Sequence, residues 1–203
     1  MPGRKKTHTL SLRTIAFALF AFLLTACGPG NEIHLLPPEK SGESILPRPN
    51  APTVTVVEFA DSRKEKLAIG QRRDGSSFST ADRPTHWISH ALADTLTEHG
   101  LMVSYAKSFD QARKANPDYI VSGKLMRVWL NETSATYIES IVETEFTLAN
   151  REKHLLRENN KAQSSRGWPS SLAQTEAMIR DTMTDLIVPI AQKIADRIWK
   201  RTK

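Results

Sequence analysis

The segment TYIESIVETEFTL, residues 136–148, has the most regular pattern in the chain and decides the fold class. Its even-numbered positions, 138 to 148, carry the side chains ISVTFL, and its odd-numbered positions, 137 to 147, carry YEIEET. Successive side chains of a strand point to opposite faces of the sheet, so this alternation predicts a strand with one covered face and one wetter face. The rest of the chain must therefore supply elements that cover an apolar sheet face.

Neighbouring segments predict further strands. Residues 119–130 form a strand in which Gly123 marks an expected bulge, and residues 154–159 form a last strand after the turn at Asn150. Three successive strands with short turns predict an antiparallel meander. Two earlier segments predict two more strands, namely TVTVVEFA at 53–60, which is rich in β-branched residues, and LMVSYA at 101–106.

Two long helices are predicted, one before and one after the meander in the chain. Residues 84–98 have an apolar stripe at three- and four-residue steps, with Pro84 in the first turn and Gly100 as a left-handed C-terminal cap. Residues 171–199 form the second, with Ser171 and Gln174 as a capping box and a kink or break expected at Pro189. A short helix is expected at 109–115. The fold class is therefore α+β, a mostly antiparallel sheet of about five strands with two main helices packed on one face.

The N-terminus carries an export signal rather than part of the fold. Four basic residues precede an apolar run from Ile15 to Ala26, which is shorter than the ~20 residues needed to span a bilayer. The run ends in Leu24-Thr25-Ala26-Cys27, which resembles the bacterial lipobox. That resemblance implies cleavage before Cys27 and acylation of its sulfur, with palmitate-type chains as the membrane anchor. Gly28 follows in place of the aspartate that favours retention in the inner membrane, so we expect the outer membrane, facing the periplasm.

Three regions follow from this, namely a signal peptide at 1–26, an acylated Cys27 with a Pro- and Gly-rich linker at 27–52, and a single periplasmic domain at 53–203. An extended linker of this length reaches at most about 75 Å; alternatively, part of it lies along the domain surface. Without the signal, 24 lysines and arginines face 22 acidic residues, a net charge of about +2. This near balance argues against nucleic-acid binding.

The order of short motifs resembles a known group of envelope proteins. FADSR at 59–63 is followed by IG at 69–70, by the helix that ends before Gly100, and by PDYIVSGKL at 117–125. This layout is similar to YajG-like bacterial lipoproteins. The DYIV-x-G segment is also shared with a broader set, including the curli-secretion lipoprotein and the lipoprotein activators of peptidoglycan synthases. The resemblance implies a non-catalytic periplasmic binding or assembly domain and specifies no ligand.

Few residues have a pattern that indicates chemistry. His86 and His90 lie four apart on the predicted helix, a spacing that allows two imidazoles to bind a metal, but a third ligand is needed. We therefore expect no metal and no cofactor other than the lipid on Cys27, with these two histidines as weak metal candidates. Asp61 and Arg63 end the first strand, where a structural role in backbone hydrogen bonds and ion pairs is favoured over ligand binding. No serine lies in a nucleophile elbow, so no enzyme activity is expected.

Two surfaces are candidates for contact with a partner. The wetter face of the strand at 136–148 carries Tyr137, Glu139, Glu143 and Glu145, which either bind a basic partner or form cross-strand pairs with Lys124 or Arg127. The basic C-terminus, with Lys200 and Arg201, either complements the helix dipole or contacts anionic lipid or glycan, with Trp129, Trp168 and Trp199 as flanking residues.

Taken together, the sequence predicts a membrane-anchored module that binds an envelope protein or peptidoglycan. The alternative is an accessory lipoprotein of lipid or lipopolysaccharide transport, whose elements would enclose or present an apolar groove.

Overall fold

The computed structural model describes residues 31–39, 46–134, 136–167 and 171–202. The predicted signal peptide, Cys27 and Trp168 lie outside these ranges. No helix in the described ranges has an apolar stretch long enough to span a bilayer. The strands and helices, in chain order, are β1 (Thr53–Val57), β2 (Ala60–Asp61), β3 (Gly70–Gln71), β4 (Ser77–Phe78), α1 (Pro84–Glu98), β5 (Met102–Ala106), α2 (Phe109–Lys114), β6 (Tyr119–Ser134), β7 (Tyr137–Asn150), β8 (His154–Gly167) and α3 (Leu172–Thr202).

The α+β class is confirmed, but the expected mostly antiparallel sheet of about five strands is wrong. The described residues form one mixed sheet of eight strands. β1 lies between β5 and β6 and runs parallel to both, and β2 and β3 also run parallel to β6. Parallel neighbours need a crossover connection, which α1 supplies between the β3–β4 hairpin and β5. The sequence predicts strands at 53–60 and 101–106 without their direction, and it predicts no strand at β3.

The predicted meander is confirmed, since β6, β7 and β8 pair antiparallel along almost their whole length. The even-numbered side chains of β7 from 138 to 148 are all buried, as the alternation predicts. β8 extends to Gly167, well beyond the predicted end at Asn159. Its second half is polar and has no apolar alternation to reveal it.

The bulge predicted at Gly123 is wrong, because the two shifts in register between β6 and β7 fall between Leu125 and Arg127 and between Glu132 and Ser134. Gly123 is needed for space instead. A Cβ atom there would lie 2.5 Å from Cε2 of Phe59 and 2.6 Å from the carbonyl oxygen of Glu145. The glycine thus lets the Phe59 ring pack directly on the β6 backbone.

Both long helices form where they are predicted. α1 begins at Pro84, and Gly100 beyond its end has a positive φ of 79°. α3 is one helix through Pro189, so the break into two helices, one of the two outcomes expected there, is wrong. Fully or nearly fully buried side chains on both sides of the proline, including Ile187 and Ile190, hold the helix against the sheet. Their burial offsets the lost backbone hydrogen bond.

Residues 31–39 belong to the predicted linker and lie against the domain, as the alternative of a linker along the domain surface predicts. This segment is called the strap below. Ile33 is fully buried, and its backbone N–H donates to the carbonyl of Ser79 at 2.8 Å. Trp87 Nε1 donates to the carbonyl of Leu36 at 2.7 Å, and Glu39 pairs with Arg180 at 2.7 Å. The prolines keep the strap extended, and its alternate apolar side chains reach the core.

Candidate functional site

A groove of about 500 Å³ lies between residues 62–65, which follow β2, and residues 126–129 of β6. β2 brings the first wall into place because Asp61 pairs with Leu125 in parallel register. The register shift after Leu125 exposes two successive side chains, Met126 and Arg127, on the second wall. A bulge commonly re-aims side chains in this way. Glu143 of β7 completes the lining.

Arg63 forms the buried end of the groove, with its side chain only 5% exposed. Its Nε donates to Asp61 Oδ1 at 3.0 Å and its Nη2 donates to Asp61 Oδ2 at 2.9 Å. The remaining nitrogen, Nη1, is enclosed and has no hydrogen-bond partner among the described residues. Hydrogen bonds from the Arg63 guanidinium hold the pKa of Asp61 below its usual value, against the opposing effect of burial. The predicted structural role of the two residues is thus a mutual ion pair, and it leaves one buried donor unused.

The rim of the groove is charged and its floor is partly apolar. Lys64, Glu65 and Arg127 form no ion pair within the described ranges, and Met126 is 43% exposed. Trp129 is half-buried beside them. An aromatic ring, a methionine and unpaired charges of both signs make a surface that suits an amphipathic ligand. The sequence analysis names Trp129 and the FADSR motif separately. They come together only through the parallel pairing of β2 with β6, which the sequence did not predict.

A second group of polar side chains lies where β1 and β5 end beside the start of α1, and it is called the polar cluster below. Glu58, whose side chain is 10% exposed, accepts hydrogen bonds from Tyr105 at 2.5 Å and from Thr85 at 3.1 Å, and it pairs with Arg83. Burial alone would raise the pKa of Glu58, but these three partners together lower it. Glu58 is therefore an ionised acceptor at neutral pH.

His86 and His90, the weak metal candidates from the sequence, lie in the same cluster. The rings of His86 and His90 have their centroids 4.1 Å apart, and the His90 ring lies 4.2 Å from that of Tyr105. Burial and the neighbouring His86 lower the pKa of His90, while burial and the bond to Glu58 raise that of the Tyr105 phenol. Within the described residues, no three His, Cys, Asp or Glu side chains are grouped to hold a metal ion. The histidines come together as their spacing predicts, without a third ligand of these types.

The acidic face of β7 carries cross-strand pairs. Glu145 lies 2.9 Å from Arg157 and 3.6 Å from Lys124, and Glu143 lies 3.6 Å from Lys161. Two further residues of this predicted surface are Glu139, which accepts a hydrogen bond from Gln163, and Tyr137, which is 41% exposed. Glu143 and Glu145 thus form the cross-strand charge pairs predicted as the alternative to a partner surface, and Lys124 is one of the predicted partners.

The basic C-terminal residues lie in the last turns of α3. Lys193 pairs with Glu158 at 2.6 Å, and Trp199 lies under the guanidinium of Arg48, 5.0 Å from the ring centroid. Lys200 and Arg201 occupy the last turn of the helix, where positive charge is favourable. Trp199 therefore contacts the segment before β1, and the lipid contact considered for it stays a prediction.

No protein-family model and no curated protein sequence matches the chain. Solved structures do resemble it. One is a Xanthomonas campestris protein of the family DUF330, with a TM-score of 0.59 at 10% identity over 84% of this chain and 97% of that one. Another is an uncharacterized protein, with a TM-score of 0.50 at 12% identity over 80% and 97% of the two chains. A lipoprotein from Neisseria meningitidis reaches a TM-score of 0.38 at 12% identity over 66% and 96%. At these identities the first two likenesses establish a shared fold alone, and the resemblance to YajG-like lipoproteins stays a prediction.

Proposed function

We propose that the chain is a lipid-anchored, non-catalytic binding module of the bacterial envelope, which holds an envelope protein or the cell wall in the groove beside Arg63. The anchor follows from the lipobox at Leu24 to Cys27, and the predicted address is the periplasmic side of the outer membrane. The observation that carries the binding role is the groove itself, where a half-buried tryptophan and unpaired charges surround a guanidinium with an unused donor.

The polar cluster supports a role without catalysis. A tyrosine whose pKa is raised stays protonated at neutral pH, so Tyr105 donates a hydrogen bond to Glu58 and is a poor nucleophile. Glu58 is committed to three partners at once, namely Tyr105, Thr85 and Arg83. These bonds join the end of β1 to β5 and α1, which is a structural task.

The test compares how much envelope protein or peptidoglycan is bound by the acylated protein, from Cys27 onward, and by its variants. Trp129→Ala and Arg127→Glu change the groove lining at exposed or half-exposed positions and leave the core intact. We expect both variants to recover several-fold less of a specific membrane protein, or of purified peptidoglycan, in pull-downs than the wild-type chain. Arg113→Glu is the matched control, because it makes the same charge change at an exposed position of α2.

Equal recovery by the groove variants and the wild type, with Arg113→Glu also unchanged, would remove the groove from the proposal. Lipid that co-purifies with the protein and is lost in Trp129→Ala would favour the alternative, an accessory role in lipid or lipopolysaccharide transport. Hydrolysis of an envelope substrate by the pure protein would contradict the non-catalytic role.

A further inference from the structure

The strap shows where the chain enters the domain. Ser79 donates its N–H to the carbonyl of Asn31 at 2.9 Å, and Glu32 forms a parallel bridge with Ser79. In a parallel pair the two segments run the same way, so Asn31 is the end of the strap that lies towards Ser77. Ser77 begins β4, directly after the loop of residues 72–76. The N-terminal side of the strap thus points towards the tip of the β3–β4 hairpin.

Several other element ends lie at the same end of the molecule, which is called the anchor end below. β3 runs parallel to β6 with Gln71 opposite Asn131, so the hairpin tip lies beside the β6–β7 turn. Gly167, the last residue of β8, pairs with Tyr137. α3 begins nearby, since Glu176 in its second turn accepts a hydrogen bond from the backbone of His34 in the strap.

Lys200 and Arg201 lie at the other end of the molecule. α3 runs antiparallel to β8, as shown by the ion pairs of Asp181 with Arg166 and of Lys193 with Glu158. Its 31 residues span about 45 Å at ~1.5 Å per residue. The helix therefore starts at the anchor end, and its basic last turn lies about 45 Å from that end.

The distance between the lipid and the domain is short. Asn31 comes four residues after Cys27, so the two Cα atoms lie at most about 14 Å apart even in a fully extended chain. This limit replaces the reach of about 75 Å expected for an unordered linker. An acylated Cys27 would thus hold the anchor end within a few residues' length of the bilayer surface.

The anchor end has the side chains expected of a surface next to lipid head groups. Tyr137 is 41% exposed, Leu172 is 38% exposed, and Arg73 is exposed at the hairpin tip. Acidic side chains are also present, namely Asp74 and Glu132. Charges of both signs with an exposed tyrosine and leucine suit the interface of a bilayer rich in zwitterionic lipid, where tyrosine rings are favoured.

We infer that the anchor end faces the membrane, with Arg73, Tyr137 and Leu172 in the head-group region, and that Lys200 and Arg201 point away from it. This inference rests on the proposed acylation of Cys27. It assigns the basic C-terminus to partners in the periplasm. The contact with anionic lipid that the sequence suggested for this segment is then ruled out. It also leaves the groove beside Arg63, midway along β6, open at the side of the molecule.

The orientation is tested by fluorescence quenching on the acylated protein, which carries the whole chain from Cys27 onward. The only natural cysteine is Cys27, so a single new thiol takes the label. Arg73→Cys, Tyr137→Cys and Lys200→Cys, each carrying a small fluorophore, are reconstituted in vesicles of phosphatidylethanolamine and phosphatidylglycerol that contain a head-group quencher. We expect several-fold stronger quenching at positions 73 and 137 than at position 200. Equal quenching at all three positions, or stronger quenching at 200, overturns the inference.

Two measurements keep this result separate from the proposed function. Mass spectrometry of each purified variant shows whether acyl chains are attached, and a urea midpoint equal to that of the wild type shows that the variant folds. A chain without acyl mass overturns both the anchored module and its orientation. An acylated, folded chain with the reverse quenching pattern overturns the orientation alone.

Discussion

At the scale of single residues, the ion pair between Asp61 and Arg63 is the least replaceable interaction of the groove. Arg63 is buried, whereas the Asp61 side chain is 29% exposed. Removing the carboxylate would leave a buried guanidinium without its counter-charge. Removing the guanidinium would leave a carboxylate that water reaches. The two halves of the pair are therefore unequal in their effect on stability.

We expect Asp61→Ala to lower the free energy of unfolding by about 3 kcal/mol, because a buried charge then loses its partner. Urea unfolding followed by circular dichroism measures the change. Glu65→Ala is the control, since Glu65 is exposed and forms no ion pair among the described residues, and it should alter stability by less than about 0.5 kcal/mol. A loss in Asp61→Ala no larger than in the control would show that Arg63 finds other compensation.

The polar cluster makes stability depend on pH. Burial and the nearby His86 lower the pKa of His90 in the folded protein from its ordinary value of about 6.5. Between the two pKa values the unfolded chain binds a proton at His90 and the folded protein does not. Neutral His90 therefore contributes to the free energy of unfolding above pH ~6.5, and this contribution is lost as the pH falls through the folded pKa. We expect the free energy of unfolding to decline less steeply from pH 7 to pH 5 in His90→Gln than in the wild type.

Urea titrations at each pH measure this slope. His154→Gln, at an exposed position on β8, is the matched histidine control and should keep the wild-type slope. The same slope in His90→Gln and in the wild type would contradict the role of His90.

At the scale of elements, the pairing of β6 with β7 depends on a glycine. Phe59 packs on the β6 backbone because Gly123 has no side chain. A methyl group there would meet both a ring carbon of Phe59 and a main-chain oxygen of β7 at distances that real Cβ atoms do not show. The backbone oxygen cannot rotate away as a flexible side chain would, so the strand itself must shift.

We therefore expect Gly123→Ala to destabilise the protein by about 1–3 kcal/mol, the usual range for overpacking a core. Gly167→Ala, at the end of β8, is a matched control because its nearest heavy atom would lie 3.9 Å from the new Cβ. Thermal unfolding of the three proteins makes the comparison. Equal melting temperatures for the two variants would show that β6 absorbs the methyl group without strain.

At the scale of the whole molecule, the strap joins the N-terminal side of the chain to both long helices. It is hydrogen-bonded to Trp87 of α1 and paired with Arg180 of α3. Residues from Asn31 onward accordingly form one compact unit. The strap is therefore part of the packed domain, and a force applied at Asn31 would act directly on the core.

We expect Ile33→Ala to lower the free energy of unfolding by about 2–4 kcal/mol, as for other fully buried large-to-small changes. Leu46→Ala, at a position 79% exposed, should leave stability nearly unchanged. Urea unfolding of the two variants measures the difference. If Ile33→Ala is as stable as Leu46→Ala, the strap is not part of the cooperative fold.

Most of the local structure could be predicted because its signals are local. The apolar stripe from Trp87 to Leu96 and the alternation from 137 to 148 each repeat within one element, so they identify α1 and β7 with their buried faces. The histidines at 86 and 90 share a turn of one helix, and their proximity followed from the spacing alone. Pro189 misled the prediction because the burial that holds α3 together comes from the sheet, which lies far away in sequence.

The sequence by itself determined the long helices and the meander, and it predicts the export signal and the lipobox at Cys27, because each of these depends on neighbouring residues. Only the tertiary structure decided the parallel half of the sheet, the packed strap and the groove beside Arg63. Parallel pairing joins Asp61 to Leu125 through main-chain hydrogen bonds, and these leave no pattern in side-chain identity. The orientation of the anchor end likewise depends on Asn31 meeting Ser79, a contact between segments that the sequence keeps well apart.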